Sequence, residues 1–358
     1  MSDLITTFST LQHRRPSVGA LRALRLVAAA DVPTDVVLAL RQLELLASGD
    51  IPYVTPLVSS RAARIYRVEL GWGVVCLKRQ LAPDPAAGEG HAAERASAEA
   101  GWHKLACDVV PGAAPVVLGA LPNGAVFAME YLDADDFPAW QTRLAAGYVE
   151  PWVAAEVGHL IGRLHAASAN SVAVRERFAA QAAFRALVLA PLLEQAARAV
   201  PGCEPRLVAL AESLGAIHAA LVHGALAPDN VLLGPRGPVL IDADCAHSGD
   251  PVFDAATCLA ALALRMVGHT QLRAELGAAY DAFHRSYFAH VTWEMPEHAE
   301  ARAAALIPAL LAVGLAGHAA AGTAGEQRAC DAARALLLEP PRQLDELCRR
   351  WLEALARG

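Results

Sequence analysis

The apolar positions along the chain change their spacing several times, and each spacing predicts one type of element. Between residues 19 and 47 they recur at helical intervals with a break at 31–34, which predicts two short helices. From Tyr53 onward they alternate or form β-branched runs, as strands do. The segments on either side of a Gly-Trp-Gly turn at Trp72 therefore predict a β-hairpin.

The pattern after this hairpin predicts a second, larger part that is mostly helical. Helical periodicity covers about 92–105, and strand-like segments follow at 115–118 and 125–129. Beyond residue 132 the pattern is helical, apart from a hairpin-like patch within 221–241. This order indicates an α+β, bilobal architecture, and ligands commonly bind between such lobes. We expect a helical extension at 1–50, a small β-rich N-lobe at 51–132 and a large helical C-lobe at 133–358.

Composition and charge restrict the possible partners. The 358 residues carry a net charge of −7 without any run of Lys and Arg, so a nucleic-acid partner is not expected. Seven scattered Cys without a C-x-x-C pair indicate reduced thiols and a cytoplasmic protein. The N-terminus lacks a secretory signal pattern, and the longest apolar run, 303–317, contains Pro308. We therefore expect a buried helix at 303–317 and no membrane partner.

The most informative polar residues lie in the stretch 223–256, which reads HGALAPDNVLLGPRGPVLIDADCAHSGDPVFDAA. Asn230 and Asp242 stand at the outer ends of two short predicted strands, which a Gly-Pro-Arg-Gly turn folds side by side. Phosphoryl transfer from ATP needs metal ions, and amide and carboxylate oxygens are ligands that suit Mg²⁺. The stretch therefore predicts a metal site formed by Asn230 and Asp242.

The same stretch resembles the catalytic region of the aminoglycoside phosphotransferase and choline kinase-like superfamily, whose pattern is H-G-D-x-x-x-x-N, I-D-x-[DE] and G-D-P-x-x-D. The matching positions are His223, Gly224, Asn230, Ile241, Asp242, Asp244, Gly249, Asp250, Pro251 and Asp254. The resemblance implies a protein kinase-like fold, bound ATP or another nucleoside triphosphate, Mg²⁺, and transfer of phosphate to a hydroxyl of a small molecule or peptide side chain. It also implies that His223 braces the catalytic loop.

The N-terminal half offers residues for the nucleotide. Lys78 ends a predicted strand much as the family's phosphate-binding Lys does. Glu94 and Glu99 on the following helix compete as its partner, because residues five apart face different sides of a helix. We expect Glu99 to pair with Lys78 and Glu94 to be exposed. Glu130 and Leu132 fall in a segment that resembles the family's link between lobes, where backbone groups contact adenine.

The segment 58–64 takes the place of the phosphate-covering loop but lacks the glycines of such loops. Ser59 and Ser60 could donate hydroxyl and N–H groups to a phosphate, and Arg61 or Arg64 could add charge. Without Gly, close approach of the backbone to a phosphate is harder. The sequence therefore predicts a nucleotide site with an unusual loop.

Ala225 occupies the position at which the family has the Asp that accepts or orients the hydroxyl proton. Three explanations stay open: an enzyme that uses another acid, a pseudokinase that binds a nucleotide or ligand, and a substitution that silences the enzyme. For the first, Asp244 is preferred to Asp229, because an extended backbone would point Asp244 to the same side as Asp242. Asp229 is expected to be a solvated turn residue.

The residues that would choose the acceptor are not defined by the sequence. Glu294, Glu297, Glu326 and Asp331 could receive a cationic acceptor such as an amino sugar or a choline-like amine, or they could be exposed helix faces. His165, in a Leu-His pair that resembles the family's, is expected to be a buried and hydrogen-bonded imidazole. No G-x-S-x-G motif or metal-ligating His cluster indicates a hydrolase or lyase. The leading expectation is an ATP- and Mg²⁺-dependent phosphotransferase, and the alternative is a non-catalytic regulator of the same fold.

Overall fold

The structure is a computed structural model that describes residues 33–60, 62–82, 88–122, 124–316 and 323–356. The chain divides into two compact units. One contains the described residues up to Lys104 together with Pro115–Asp133, and the other contains Leu105–Ala114 and the described residues from Ala134 onward. The first of the two expected N-terminal helices lies outside the described residues, and so does Arg61.

The first unit is built on an antiparallel sheet of five strands. These are β1 Tyr53–Ser59, β2 Ala63–Leu70, β3 Gly73–Gln80, β4 Val117–Ala120 and β5 Val126–Glu130, arranged in the order β1-β2-β3-β5-β4. Helix α1 spans Thr34–Gln42, and helix α2 spans Gly88–Val109, longer at both ends than the sequence pattern predicts. The β2–β3 hairpin, in which Leu70 pairs with Gly73, confirms the turn predicted at Trp72.

Strand β3 divides its side chains between two packing layers, because successive residues of a strand point to opposite faces of the sheet. Val75 and Leu77 belong to one apolar cluster with Leu40 of α1. Cys76 belongs to another cluster with Ala100 of α2. The even-numbered residues of β3 therefore face α2, which decides where the polar residues at the end of this strand lie.

The second unit is mostly helical. Its helices are α3 Trp140–Ala145, α4 Pro151–Ser168, α5 Val172–Arg177, α6 Ala182–Phe184, α7 Ala190–Ala199, α8 Glu204–Ala216, α9 Val252–Gly268, α10 Arg273–Phe288, α11 Pro296–Ala316, α12 Ala324–Leu338 and α13 Leu344–Ala356. A π-helical turn, Arg185–Leu189, joins α6 to α7. Short 3₁₀ turns occur at Pro228–Asn230 and Thr270–Leu272.

Two pairs of short strands interrupt these helices. They are β6 Ala220–Val222 with β9 His247–Gly249, and β7 Val231–Gly234 with β8 Gly237–Leu240. The sequence pattern predicts β6, β7 and β8 but not β9. Three residues, His-Ser-Gly, are too short and too polar to show strand alternation, so only the pairing with β6 defines this strand.

Helices α4 and α10 approach each other closely at two glycines. A Cβ atom on Gly158 would lie 2.7 Å from the carbonyl oxygen of Phe283, and one on Gly162 would lie 2.8 Å from the Cβ of His290. Neither position has room for a side chain. This approach brings His165 of α4 within hydrogen-bonding distance of α10.

Helix α11 is the segment that the sequence predicts to be a buried helix. By length and composition it is apolar enough to cross a membrane, the one such helix among the described residues. However, 56% of its most apolar window is buried inside the protein. Pro308 lies within the helix and is itself buried. The helix therefore packs as a core helix of the second unit.

Candidate active site

Lys78 and Glu99 form a buried ion pair in the first unit. The Lys78 ammonium donates to Oε1 of Glu99 at 2.7 Å, and the two side chains are 2% and 0% exposed. Glu94, the competing acid, is exposed. The structure thus contains the pair that the sequence predicts, because Lys78 is an even-numbered residue of β3 and faces α2.

Gln80 is a member of this site that the sequence analysis missed. Its Nε2 donates to Oε2 of Glu99 at 2.7 Å, so each oxygen of the carboxylate receives a donor from β3. The signal was available, since Gln80 lies two residues beyond Lys78 and shares its face of the strand. Composition also draws attention to Lys78, because only two of the 30 Lys and Arg residues, Lys78 and Lys104, are Lys.

The segment expected to cover the phosphates is shorter than the sequence predicts. Val58 and Ser59 belong to β1 and Ala63 begins β2, so only 60–62 separate the two strands, and Arg61 lies outside the described residues. Ser59 is exposed, whereas the Ser60 hydroxyl accepts from the N–H groups of Ala62 at 3.1 Å and Ala63 at 3.0 Å. Ser60 therefore stabilises its own turn, which is a role that short polar side chains often take.

The segment expected to contact adenine lies at the end of β5. Glu130 is the last residue of this strand, and its backbone N–H donates to the carbonyl of Val116 at 2.8 Å. Its exposed side chain accepts from the Val116 N–H at 3.4 Å. Leu132 follows as a half-buried residue outside any strand. The backbone N–H of Glu130 is thus hydrogen-bonded to Val116, whereas Leu132 lies beyond the end of β5.

In the second unit, the loop after β6 is fixed by one buried carboxylate. Asp254 of α9 accepts from the backbone N–H of His223 at 2.7 Å and from that of Gly224 at 3.0 Å. Gly224 has φ +83°, and a Cβ there would overlap the carbonyl oxygen of Cys245. His223 donates from Nε2 to the carbonyl of Ile241 at 3.0 Å, which ties the loop to the end of β8.

Asp254 receives a third contact from His165. Nε2 of His165 lies 3.2 Å from Oδ2 of Asp254, and its Nδ1 lies 3.0 Å from the Tyr287 hydroxyl of α10. Burial acts to raise the pKa of Asp254, but the hydrogen bond and charge of His165, with the His223 N–H, hold that pKa below its ordinary value. Asp254 thus orients the loop, and His165 is the buried, hydrogen-bonded imidazole that the sequence predicts.

Asn230 and Asp242 stand close together at the end of the β7–β8 hairpin. The pairing of Val231 with Leu240 continues by one bond, from the N–H of Ile241 to the carbonyl of Asn230 at 3.0 Å. Nδ2 of Asn230 donates to the carbonyl of Ala225 at 2.8 Å. This bond turns the amide so that its oxygen points away from Ala225, as a metal ligand requires.

The backbone at Asp242 contradicts one step of the sequence analysis. Asp242 has φ +65°, in the left-handed region, so the chain is not extended between Asp242 and Asp244. The alternation that would have pointed both carboxylates to one side therefore does not apply. Asp229 is an exposed residue of a 3₁₀ turn, as expected. Its carboxyl group is less solvated than the residue as a whole, and this desolvation, together with the charge of Asp242, raises its pKa.

Asp250 and two of the later acidic residues have structural partners. Asp250 accepts from the Val252 N–H at 3.2 Å, which caps α9, and binds Arg302 through both carboxylate oxygens at 2.8 and 3.1 Å. Arg302 also binds both oxygens of Glu294, at 2.6 and 2.7 Å. Glu326 forms a capping box with Thr323 at the start of α12. Glu294 is therefore paired with a cation and Glu326 caps a helix, so both acids have structural roles.

The donor set at Asn230 and Asp242 fits Mg²⁺. Within the described parts of the chain, no group of three or more His, Cys, Asp or Glu side chains could hold a metal ion. Mg²⁺ does not need such a cage, because it is usually bound by one or two protein oxygen ligands, substrate phosphates and water. One amide oxygen and one carboxylate on adjacent segments meet that requirement.

A family model described as the phosphotransferase enzyme family, APH, matches residues 54–291. The chain belongs to this phosphotransferase family. The match includes both the Lys78–Glu99 pair and the loop held by Asp254. No curated protein matches the chain in sequence.

Two solved kinase structures share the fold of this phosphotransferase family member. Amicoumacin kinase hAmiN, in complex with AMP-PNP, Ca²⁺ and Ami, is 14% identical with a TM-score of 0.56, and the match covers 89% of this chain and 98% of hAmiN. An ethanolamine kinase from Plasmodium vivax is 8% identical with a TM-score of 0.50, covering 96% of this chain and 94% of its own. These likenesses confirm the predicted α+β, kinase-like fold.

Proposed function

We propose that this chain is an ATP- and Mg²⁺-dependent phosphotransferase that transfers the γ-phosphoryl group to a hydroxyl of a small molecule or peptide side chain. The observation that carries the proposal is the arrangement of Asn230 beside Asp242, with the Asn230 amide turned by its bond to Ala225. The family match and the AMP-PNP in the hAmiN structure support a nucleotide as the donor.

Each residue has a distinct task in this proposal. The Asn230 amide oxygen and the Asp242 carboxylate would hold Mg²⁺, which when bound neutralises charge on the phosphates. The Lys78 ammonium, oriented by Glu99, would contact the α- and β-phosphates. Asp254 keeps the loop in one conformation, so its backbone needs no rearrangement when a nucleotide binds.

Ala225 limits the rate but does not remove these tasks. A methyl group cannot accept the hydroxyl proton, and general-base catalysis is typically worth about 10²- to 10⁴-fold in rate. Metal binding and positioning supply most of the catalysis in phosphoryl transfer. The family pattern I-D-x-[DE] makes Asp244 the acid that we assign to the acceptor side.

Ala225 also favours a second candidate function. A chain that keeps the nucleotide contacts but lacks the base could act as a pseudokinase, a regulator that binds a nucleotide or ligand without turnover. Both candidates use Lys78, Asn230 and Asp242 in the same way. They differ in whether a hydroxyl acceptor is phosphorylated.

One comparison separates the two functions. Magnesium-dependent ATP turnover is measured for the wild type and for Ala225→Asp across a panel of hydroxylated acceptors, with Asn230→Ala as the control that removes a metal ligand. Turnover in the wild type supports a variant enzyme, and turnover only in Ala225→Asp identifies a silenced site. Binding of Mg²⁺ and AMP-PNP without turnover in either protein favours the regulator. Absence of nucleotide binding in both proteins would contradict both functions.

A further inference from the structure

We propose that Gln80 is a positioning residue, which holds the Glu99 carboxylate in the one orientation that presents Oε1 to Lys78. This inference rests on the proposed function, because it assumes that the Lys78 ammonium must be placed accurately to meet phosphate. The underlying geometry is that β3 supplies one donor to each carboxylate oxygen, at 2.7 Å in both cases.

The strand itself places the two donors. Lys78 and Gln80 are two residues apart on β3, so both side chains face α2, where Glu99 lies. The Gln80 backbone is fixed as well, because its N–H donates to the carbonyl of Ala125 at 2.7 Å and the residue pairs with Ala63 across the sheet. A donor whose backbone is fixed in this way can set the direction of a flexible carboxylate.

A Glu carboxylate needs this second donor to keep one orientation. Rotation about its terminal torsion is broad, so hydrogen bonds at both oxygens define the plane of the group more closely than a bond at Oε1 does. Gln80 Nε2 holds Oε2, and the plane is then defined by two points. The Lys78 ammonium consequently meets an acceptor of fixed direction.

The Oε1 end of the Gln80 side chain does not explain why this residue is a Gln. Its Oε1 is buried and has no hydrogen-bond partner among the residues that the structure describes, and the whole side chain is 1% exposed. A buried acceptor without a partner destabilises a fold, whereas an apolar side chain of similar size in its place does not carry that cost. Gln80 thus fits a task that an apolar residue could not perform, the donation to Glu99.

The test compares Gln80→Met, an apolar side chain of similar length, with Gln42→Met on the exposed end of α1. Binding of Mg²⁺ and AMP-PNP is measured by calorimetry, and Lys78→Met shows how much affinity the ammonium supplies. Gln80→Met is expected to bind about tenfold more weakly than the wild type and to have a lower Tm, because Oε2 of the buried Glu99 loses a donor. Gln42→Met is expected to bind as the wild type does.

A second measurement needs no nucleotide. With ¹⁵N-labelled lysine, Lys78 and Lys104 give the only two side-chain ammonium signals, and Lys104→Arg assigns them. The buried Lys78 signal should persist in the wild type and broaden or disappear in Gln80→Met, and Gln80→Leu repeats the test if that variant folds poorly. A Lys78 signal unchanged by either substitution, or unchanged nucleotide affinity beside an altered signal, would overturn the inference. An altered signal in a protein that binds no nucleotide would keep the positioning role and reject the proposed function.

Discussion

The side-chain amide of Asn230 donates a 2.8 Å hydrogen bond to the backbone carbonyl of Ala225. The residue that lacks the family's carboxylate therefore still orients the proposed metal ligand, through its main chain rather than its side chain. Any residue at position 225 can supply that carbonyl, which is why Ala225→Asp is a clean test of the missing base. The bond also makes position 230 sensitive to a change that removes its donor.

Asn230→Asp should destabilise the protein in the absence of Mg²⁺. The new carboxylate cannot donate to the Ala225 carbonyl, so the free energy of unfolding should fall by about 1–3 kcal/mol, and added Mg²⁺ should recover part of the loss. Urea denaturation with and without Mg²⁺ measures both effects. Asn170→Asp, at an exposed turn residue, is the control and should change stability by less than about 0.5 kcal/mol. Equal losses in both variants would contradict the role of the bond.

Gly224→Ala should destabilise the fold strongly. Its φ of +83° is strained for any residue with a Cβ, and the new methyl would overlap the carbonyl of Cys245. We expect a loss above about 2 kcal/mol together with weaker nucleotide binding. Gly277→Ala is the matched control, because its Cβ would meet only Leu352, at an ordinary 3.7 Å, inside α10. Thermal unfolding of the two variants decides the prediction, which fails if their Tm values are similar.

Arg302→Met should leave two carboxylates without their shared cation. Asp250 is 1% exposed and Glu294 is 21% exposed, so we expect the free energy of unfolding to fall by about 3 kcal/mol. Arg349→Met removes an exposed pair with Glu353 and should change stability by less than about 0.5 kcal/mol. Denaturant titrations of both variants give the comparison. A small effect at Arg302 would show that solvent compensates the two acids.

His247 should contribute to loss of stability in mild acid. Burial lowers the pKa of His247, so near pH 6 the unfolded chain binds more protons there than the folded chain. Stability should therefore fall as the pH drops below the ordinary His value of about 6.5, by up to about 1.4 kcal/mol per pH unit for this group.

His247→Phe isolates this effect from other titrating groups. The Phe ring can keep the stack on Phe184, whose centroid lies 4.2 Å from that of His247, but it cannot take up a proton. The loss of unfolding free energy between pH 7 and pH 5.5 should be smaller in His247→Phe than in the wild type. Parallel pH profiles of the two proteins would show that His247 does not titrate in this window.

The local pattern of apolar and polar residues predicts much of the fold and part of the site. Alternation in β2 and β3 predicts the hairpin at Trp72, and the ordered motif places Asn230 and Asp242 at adjacent strand ends. Helix geometry shows that only one of Glu94 and Glu99 can face Lys78, and the resemblance of the run that starts at Glu99 to the family's helix selects Glu99.

The features that the sequence did not predict depend on contacts between segments that are distant along the chain. Strand β9 exists because Ala220–Val222 pairs with it, and the triple role of Asp254 arises from residues in the loop after β6 and on α4 that no spacing rule connects. The left-handed backbone at Asp242 is likewise a local exception to the alternation rule, so the direction of Asp244 could not follow from it. Gln80 was missed for a different reason, because its place on the Lys78 face of β3 is visible in the sequence but a Gln belongs to none of the catalytic motifs considered.

The left-handed backbone of Asp242 allows a test of the proposed metal site. A residue with a Cβ costs about 1 kcal/mol or more in this conformation, and Gly would remove that cost. Asp242→Gly removes the carboxylate without straining this bend, and it should abolish the gain that Mg²⁺ gives to AMP-PNP affinity. Mg²⁺-dependent affinity that survives in Asp242→Gly would show that the cation takes its protein oxygen ligands elsewhere.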